Sequence, residues 1–112
     1  MRQLGVINIF ALMKSAANFN FQKFEFTYHS LIRAAERGIT IDRIKETIEF
    51  GEMIGDYPDD KPFRSFLYLK FIEGRPLHVC FATVNETTCR VITVYEPDLS
   101  IFEADFKTKR KT

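Results

Sequence analysis

The sequence predicts a small single α+β domain, a central antiparallel sheet of about four strands with two helices packed on one face. Three observations carry that expectation. Ser65 to Tyr95 reads as three successive strands, SFLYLKFI, PLHVCFATV and CRVITVY, dense in β-branched and aromatic residues. The breaks between them, Glu73-Gly74 and Asn85-Glu86-Thr87-Thr88, are short and polar, as antiparallel hairpins require. Ahead of them, two helical patterns follow one another closely, each ended by a glycine.

In chain order, residues 1–22 form an N-terminal extension and residues 23–112 the domain, which ends in a basic tail. The apolar run LGVINIFALM is too short to span a membrane and lacks a convincing signal-peptide cleavage site. Two readings stand for it: an amphipathic helix covering the sheet or a partner, or a stretch upstream of a start at Met13. Phe24-Glu25-Phe26-Thr27 alternates as a short strand. A helix follows from about Tyr28 to Arg37, and Gly38 stands where a left-handed residue closes it. Thr40 caps the second helix, IDRIKETIEF, in which Ile41, Ile44 and Ile48 share a face. Glu52 to Tyr57 reads as a further strand, Pro58 to Pro62 as a turn-rich loop, and Asp98 to Glu103 as a short terminal helix.

The bulk numbers fit one packed domain. The chain has 112 residues, is 46% hydrophobic and contains twelve Phe, enough for a core without metal or disulfide staples. Its net charge of +1 conceals a division. Residues 1–50 carry seven Lys/Arg against five Asp/Glu, residues 51–105 five against ten, and residues 107–111 four against none. A basic tail after an acidic middle is either a phosphate-binding element or a solvated, frayed end. Cys80 and Cys89 are offset along the ladder and are not expected to pair. Two free thiols fit a reducing cytoplasm. There is no CxxC, no His/Cys ligand cluster and no phosphate-binding glycine loop, so neither metal nor cofactor is expected.

The two turns set a testable register. A two-residue loop at Glu73-Gly74 puts Leu69 opposite His78 and Tyr68 opposite Val79. A loop centred on Glu86-Thr87 puts Val84 opposite Cys89, Phe81 opposite Ile92 and His78 opposite Tyr95. Opposed residues share a face. One face then carries Phe66, Tyr68, Leu77, Val79, Phe81, Ile92 and Val94, suited to helices, with Leu31, Ile44 and Ile48 packed on it. The other mixes Leu67, Leu69, Phe71, Cys80, Ala82, Val91 and Thr93 with His78 and Tyr95, and any chemistry is expected at that His78–Tyr95 end.

On the first helix His29, Arg33 and Arg37 recur every four residues and form one polar stripe. That stripe is either a phosphate site or a solvated face on which Arg37 bonds the terminal carbonyls. His78 is either a proton-transfer group or a structural histidine, and Tyr95 either a proton donor or a roof over the core.

Three segments together resemble a small bacterial family defined as a domain of unknown function. They are His29-Ser-Leu-Ile-Arg33 with Arg37-Gly38-Ile39-Thr40, then Gly74-Arg75-Pro76-Leu77-His78-Val79, and Val94-Tyr95-Glu96-Pro97-Asp98. The resemblance covers about residues 23–110. Members are frequently encoded beside YgiT-type zinc-finger antitoxins, and the family looks related to BrnT and RelE toxins, which place helices on an antiparallel sheet and cleave messenger RNA. It implies a metal-independent endoribonuclease, the toxin of a toxin–antitoxin pair in the cytoplasm, with an antitoxin protein and RNA as partners and no membrane. The implied catalytic residues are His78, Tyr95 and His29. Arg33, Arg37 and Arg75 would bind phosphate, and apart from the resemblance the charge of the tail marks Lys109 and Arg110, with Lys107 and Lys111 beside them, as candidates to reach RNA. The chain departs from the family at Phe102, where a Trp is expected. Two other classes remain: a non-catalytic partner-binding module and an inactive relative of the toxin fold.

Overall fold

A computed structural model describes residues 20–111. The expectations for Leu4 to Met13 lie outside the described residues. From Lys23 onward the elements are β1 (Lys23–Phe26), α1 (Tyr28–Arg37), α2 (Ile41–Phe50), β2 (Glu52–Tyr57), β3 (Ser65–Ile72), β4 (Arg75–Thr83) and β5 (Thr88–Tyr95). The sheet has five strands in the order β1-β5-β4-β3-β2. Four are mutually antiparallel, as expected. β1 adds to the outer edge of β5 in parallel, so the sheet is mixed.

The helices form where their caps dictate. Thr27 and Thr40 each accept the backbone N–H three residues on, from Ser30 at 3.0 Å and Arg43 at 3.2 Å. Gly38 closes α1 at φ 67°, which a side chain would strain. Gly51 must be glycine for another reason. A Cβ there would run into the carbonyl oxygens of Thr47 and Leu69, because α2 turns directly into β2 at that point.

The first hairpin has the expected register, with Leu69 opposite His78 and Tyr68 opposite Val79. Its turn takes positive φ at both Glu73 (53°) and Gly74 (81°), the twist that a two-residue hairpin loop needs. The second hairpin is correct at its far end, where His78 faces Tyr95 and Cys80 faces Thr93. It then slips. Phe81 pairs with Val91 rather than Ile92, and Cys89 with Thr83 rather than Val84. Ile92 is thus the extra residue of a β-bulge on β5. The slip exchanges faces: Val91 and Cys89 enter the core, fully buried, and Ile92 leaves it.

The core lies between the sheet and the two helices. Phe81 is at its centre, with ring centroids 5.0 Å from Tyr68, 5.8 Å from Phe66 and 5.9 Å from Phe21. Ile44 and Ile48 of α2 close over it, fully buried. α1 contributes Ser30 and Ala34 instead of Leu31, which is 43% exposed. Past Val91 the outer edge of β5 has no strand beside it, and the Thr27 hydroxyl donates to the freed Ile92 carbonyl at 3.3 Å. With Ser30 and Ala34 turned to the sheet, Tyr28, Leu31 and Ile32 face outward.

The segment after β5 departs most from expectation. Asp98 to Glu103 is not a helix. Asp98 starts a single turn, its carbonyl accepting from Ile101 (2.9 Å) and Phe102 (2.8 Å) and its carboxylate from Ser100 (2.8 Å). The chain then doubles back, bridging Phe102 to Lys109. This strap crosses the sheet face opposite the helices, so the basic tail through Lys111 extends a folded element rather than fraying from the end of β5.

Candidate functional site

The strap follows one row of the sheet. Tyr95, His78, Leu69 and Glu52 are successive cross-strand partners on β5, β4, β3 and β2. Phe102 stands edge-on to the His78 ring at 4.9 Å, Phe106 packs on Phe71 at 5.9 Å, and Lys107 reaches Glu52 at 3.1 Å. The strap therefore lies over the row from His78 to the edge of the sheet and leaves Tyr95 at its margin.

Beneath the strap, His78 is 0% exposed and both ring nitrogens are engaged. Nε2 is 2.7 Å from the Phe106 carbonyl oxygen, and Nδ1 is 3.0 Å from the Tyr95 hydroxyl. A carbonyl only accepts, so Nε2 carries the proton and donates it. Nδ1 of the neutral ring is then an acceptor, and Tyr95 Oη–H donates to it. Burial lowers the His78 pKa from the ordinary 6.5, with the Phe106 carbonyl partly opposing. The ring is neutral at pH 7 and its Nδ1 lone pair is available. Tyr95 is half-buried. Its pKa is raised by burial first, then by the neighbouring Cys80 and Tyr57.

Two arginines bond separately near the end of β5. Arg37 Nη1 donates to the Val94 carbonyl at 2.9 Å, filling the β5 edge that β1 does not reach. Arg75 is paired with Glu96 at 2.6 Å. Val94 and Glu96 flank Tyr95 in sequence, but Arg75 shares the helix-side face of β4 with Leu77 and Val79 and lines a small pocket with Ile39, Ile72 and Glu96, so its side chain starts on the sheet face opposite the Tyr95 ring. Arg37 thus bonds β5 and not the terminal carbonyls of its own helix, which corrects that expectation.

The other sequence candidates lie apart from this cluster. Arg33 pairs with Glu36 at 3.3 Å on the helix surface. His29 is exposed, eight residues before Arg37 and so about 12 Å up the helix axis. Arg110 pairs with Glu103 at 3.1 Å within the strap, and Lys109 is exposed on it. Cys80 and Cys89 are free thiols whose pKa values burial pushes up to about 11 and about 12, so neither is a nucleophile at neutral pH. Among the described residues no three His, Cys, Asp or Glu side chains converge as a metal ion would need. None of the described helices is long and apolar enough to cross a membrane.

A groove of about 600 Å³ lies elsewhere, at the β4–β5 turn and the opposite end of β5, lined by Phe21, Met53, Arg64, Phe66, Thr83, Asn85 and Glu86. Arg64 there is held by Asp56 through two bonds of 3.0 and 2.7 Å.

A family model described as a domain of unknown function, DUF4258, matches residues 26–96, more than half of the chain. The chain belongs to the DUF4258 family. No curated protein and no solved structure matches the sequence. The matched span contains His29, Arg33, Arg37, Arg75, His78 and Tyr95 and stops before the strap. The Phe106 carbonyl, the partner that decides the His78 tautomer, thus lies beyond it. Sequence reasoning missed this group because a backbone carbonyl has no side-chain signature. The one available signal was Asp105 followed three residues later by Thr108, an Asx-turn pattern.

Proposed function

We propose that the protein is a metal-independent endoribonuclease in which Tyr95 meets the RNA and His78 acts behind it. The observation that supports this is the 3.0 Å bond from the Tyr95 hydroxyl to Nδ1 of a neutral, buried His78. The hydroxyl of a half-buried tyrosine, backed by an imidazole lone pair, can take the proton of a ribose 2′-hydroxyl while passing its own to His78. The 2′-oxygen then attacks phosphorus and the bond to the 5′-oxygen breaks, the leaving oxygen taking a proton from solvent. The products are a 2′,3′-cyclic phosphate and a 5′-hydroxyl. Arg37, at the edge of β5 on the Val94 carbonyl, supplies positive charge for the phosphorane, and Arg75, which starts on the opposite sheet face, reaches it around the strand end. Exposed ion pairs are worth little, so a phosphate can draw Arg75 from Glu96 at small cost. Sequence reading named His29 as a third catalytic group. Its distance along the helix gives it no part in this arrangement, and Lys109 and Arg110 serve as outer phosphate contacts.

The same reading makes the protein the toxin of a toxin–antitoxin pair. A second reading, a partner-binding module, is favoured by Tyr28, Leu31 and Ile32, 81%, 43% and 37% exposed on the outer side of α1. One experiment separates the two. The full chain is incubated with single-stranded RNA in a chelator, and cyclic-phosphate ends are quantified for wild type and Tyr95→Phe. Cleavage that the variant loses supports the nuclease. No cleavage by wild type leaves the binding module.

A further inference from the structure

We infer that the C-terminal strap is the third member of the Tyr95–His78 pair and that Asp105 is a positioning residue for it. The strap decides which way the Tyr95 proton points. The inference deepens the nuclease reading and rests on it for its catalytic part only.

A neutral imidazole has two tautomers of similar energy, and the hydrogen bond at one nitrogen selects which is present. With the proton on Nε2, Nδ1 accepts from Tyr95, and the phenol oxygen presents its lone pairs outward. With the proton on Nδ1, the ring would donate to Tyr95, whose own O–H would then point away. The first arrangement makes Tyr95 an acceptor toward a substrate hydroxyl and the second makes it a donor. The Phe106 carbonyl, 2.7 Å from Nε2, enforces the first.

The carbonyl is aimed by a specific turn. Phe106 has φ 57°, a left-handed conformation unusual for a residue with a side chain. Asp105 maintains it. Its carboxylate accepts from the Lys107 N–H at 2.9 Å, the Thr108 N–H at 3.0 Å and the Thr108 hydroxyl at 2.8 Å. These bonds lower the Asp105 pKa to about 2, so the clamp is charged at neutral pH. Two backbone bonds, Phe106 N–H to Glu103 O at 2.9 Å and Glu103 N–H to Thr108 O at 2.8 Å, complete the turn. Asp105 itself touches neither His78 nor Tyr95 in any of these bonds. It acts through the carbonyl of the next residue.

The test needs no RNA in its first arm. In the uniformly ¹⁵N-labelled full chain at neutral pH, the His78 nitrogens should show a protonated Nε2 and an unprotonated Nδ1, with exposed His29 as the averaged reference. Asp105→Ala should move His78 toward a tautomer mixture, whereas Asp105→Asn, which keeps the carbonyl acceptor of the turn, should retain the wild-type pattern. A wild-type His78 carrying its proton on Nδ1, or Asp105→Ala indistinguishable from wild type, overturns the inference. The second arm is RNA cleavage. Asp105→Ala should lower kcat roughly tenfold to a hundredfold with KM unchanged, less than the about 10²–10⁴-fold of losing a proton-transfer group outright. Asp105→Asn should recover most of it. Unchanged kcat despite a shifted tautomer overturns the positioning role. If wild type cleaves no RNA, the nuclease reading fails, and the nitrogen signals still decide whether the strap sets the tautomer.

Discussion

The two faces of this sheet are covered by different means. On one, α1 and α2 bury an apolar surface in which Tyr68, Val79, Phe81, Val91 and Val94 are fully inaccessible. On the other, a strap without regular structure is fastened by a carbonyl to an imidazole, two Phe rings and an ion pair. A helix-covered face gains its stability from area and close packing, so it favours residues without polar atoms. A strap can bring a backbone carbonyl to a chosen point, so the face beneath it tolerates a buried polar side chain. The only fully buried imidazole among the described residues is accordingly on the strap side.

Substitutions can break or sharpen that contrast, beginning with the largest effect. Phe81→Ala should empty the centre of the helix-side core and cost about 3–5 kcal/mol in urea unfolding. A cost near 1 kcal/mol would mean the core is elsewhere. His78→Ala should cost less, about 2–3 kcal/mol, since it removes a buried ring and strands one acceptor and one donor. A loss equal to that of Phe81→Ala would erase the distinction between the faces.

Tyr95→Phe should cost about 1 kcal/mol, for one hydrogen bond, while cutting RNA cleavage by about 10² or more. Equal small effects on both would make the hydroxyl purely structural.

Acidification probes the strap side through His78. The folded-state pKa of His78 lies below its ordinary 6.5, so the unfolded chain binds the additional proton. The stability it contributes is complete above about 6.5 and declines as pH falls from there toward the folded value. Urea midpoints measured between pH 7.5 and 5 should drop more for wild type than for His78→Gln. Parallel lines would place the pH response in other groups.

The smallest effect is expected at Lys107, whose pair with Glu52 is solvent-exposed. Lys107→Ala should change stability by about 0.2–1 kcal/mol and less at high salt. A larger loss would make the ion pair, rather than the Phe106 carbonyl and the Phe rings, the main fastening of the strap.

Much of this molecule was legible in the sequence because it depends on local rules. Gly38, Thr40 and Gly51 mark the helix boundaries. Glu73-Gly74 places the first hairpin, and alternation from Ser65 onward places His78 beside Tyr95. Each needs only side-chain period and turn chemistry. Tertiary structure decided the rest. The bulge at Ile92 moved Val91 inward, and the Thr27 hydroxyl that meets the Ile92 carbonyl comes from 65 residues away. The parallel pairing of β1, the seat of Arg37 on the Val94 carbonyl and the closure of the strap over His78 are equally non-local. In the bulge, the Arg37 bond and the strap, the decisive group on one side is a backbone carbonyl. Every residue has one, so no reading of side chains distinguishes the carbonyl that will be used.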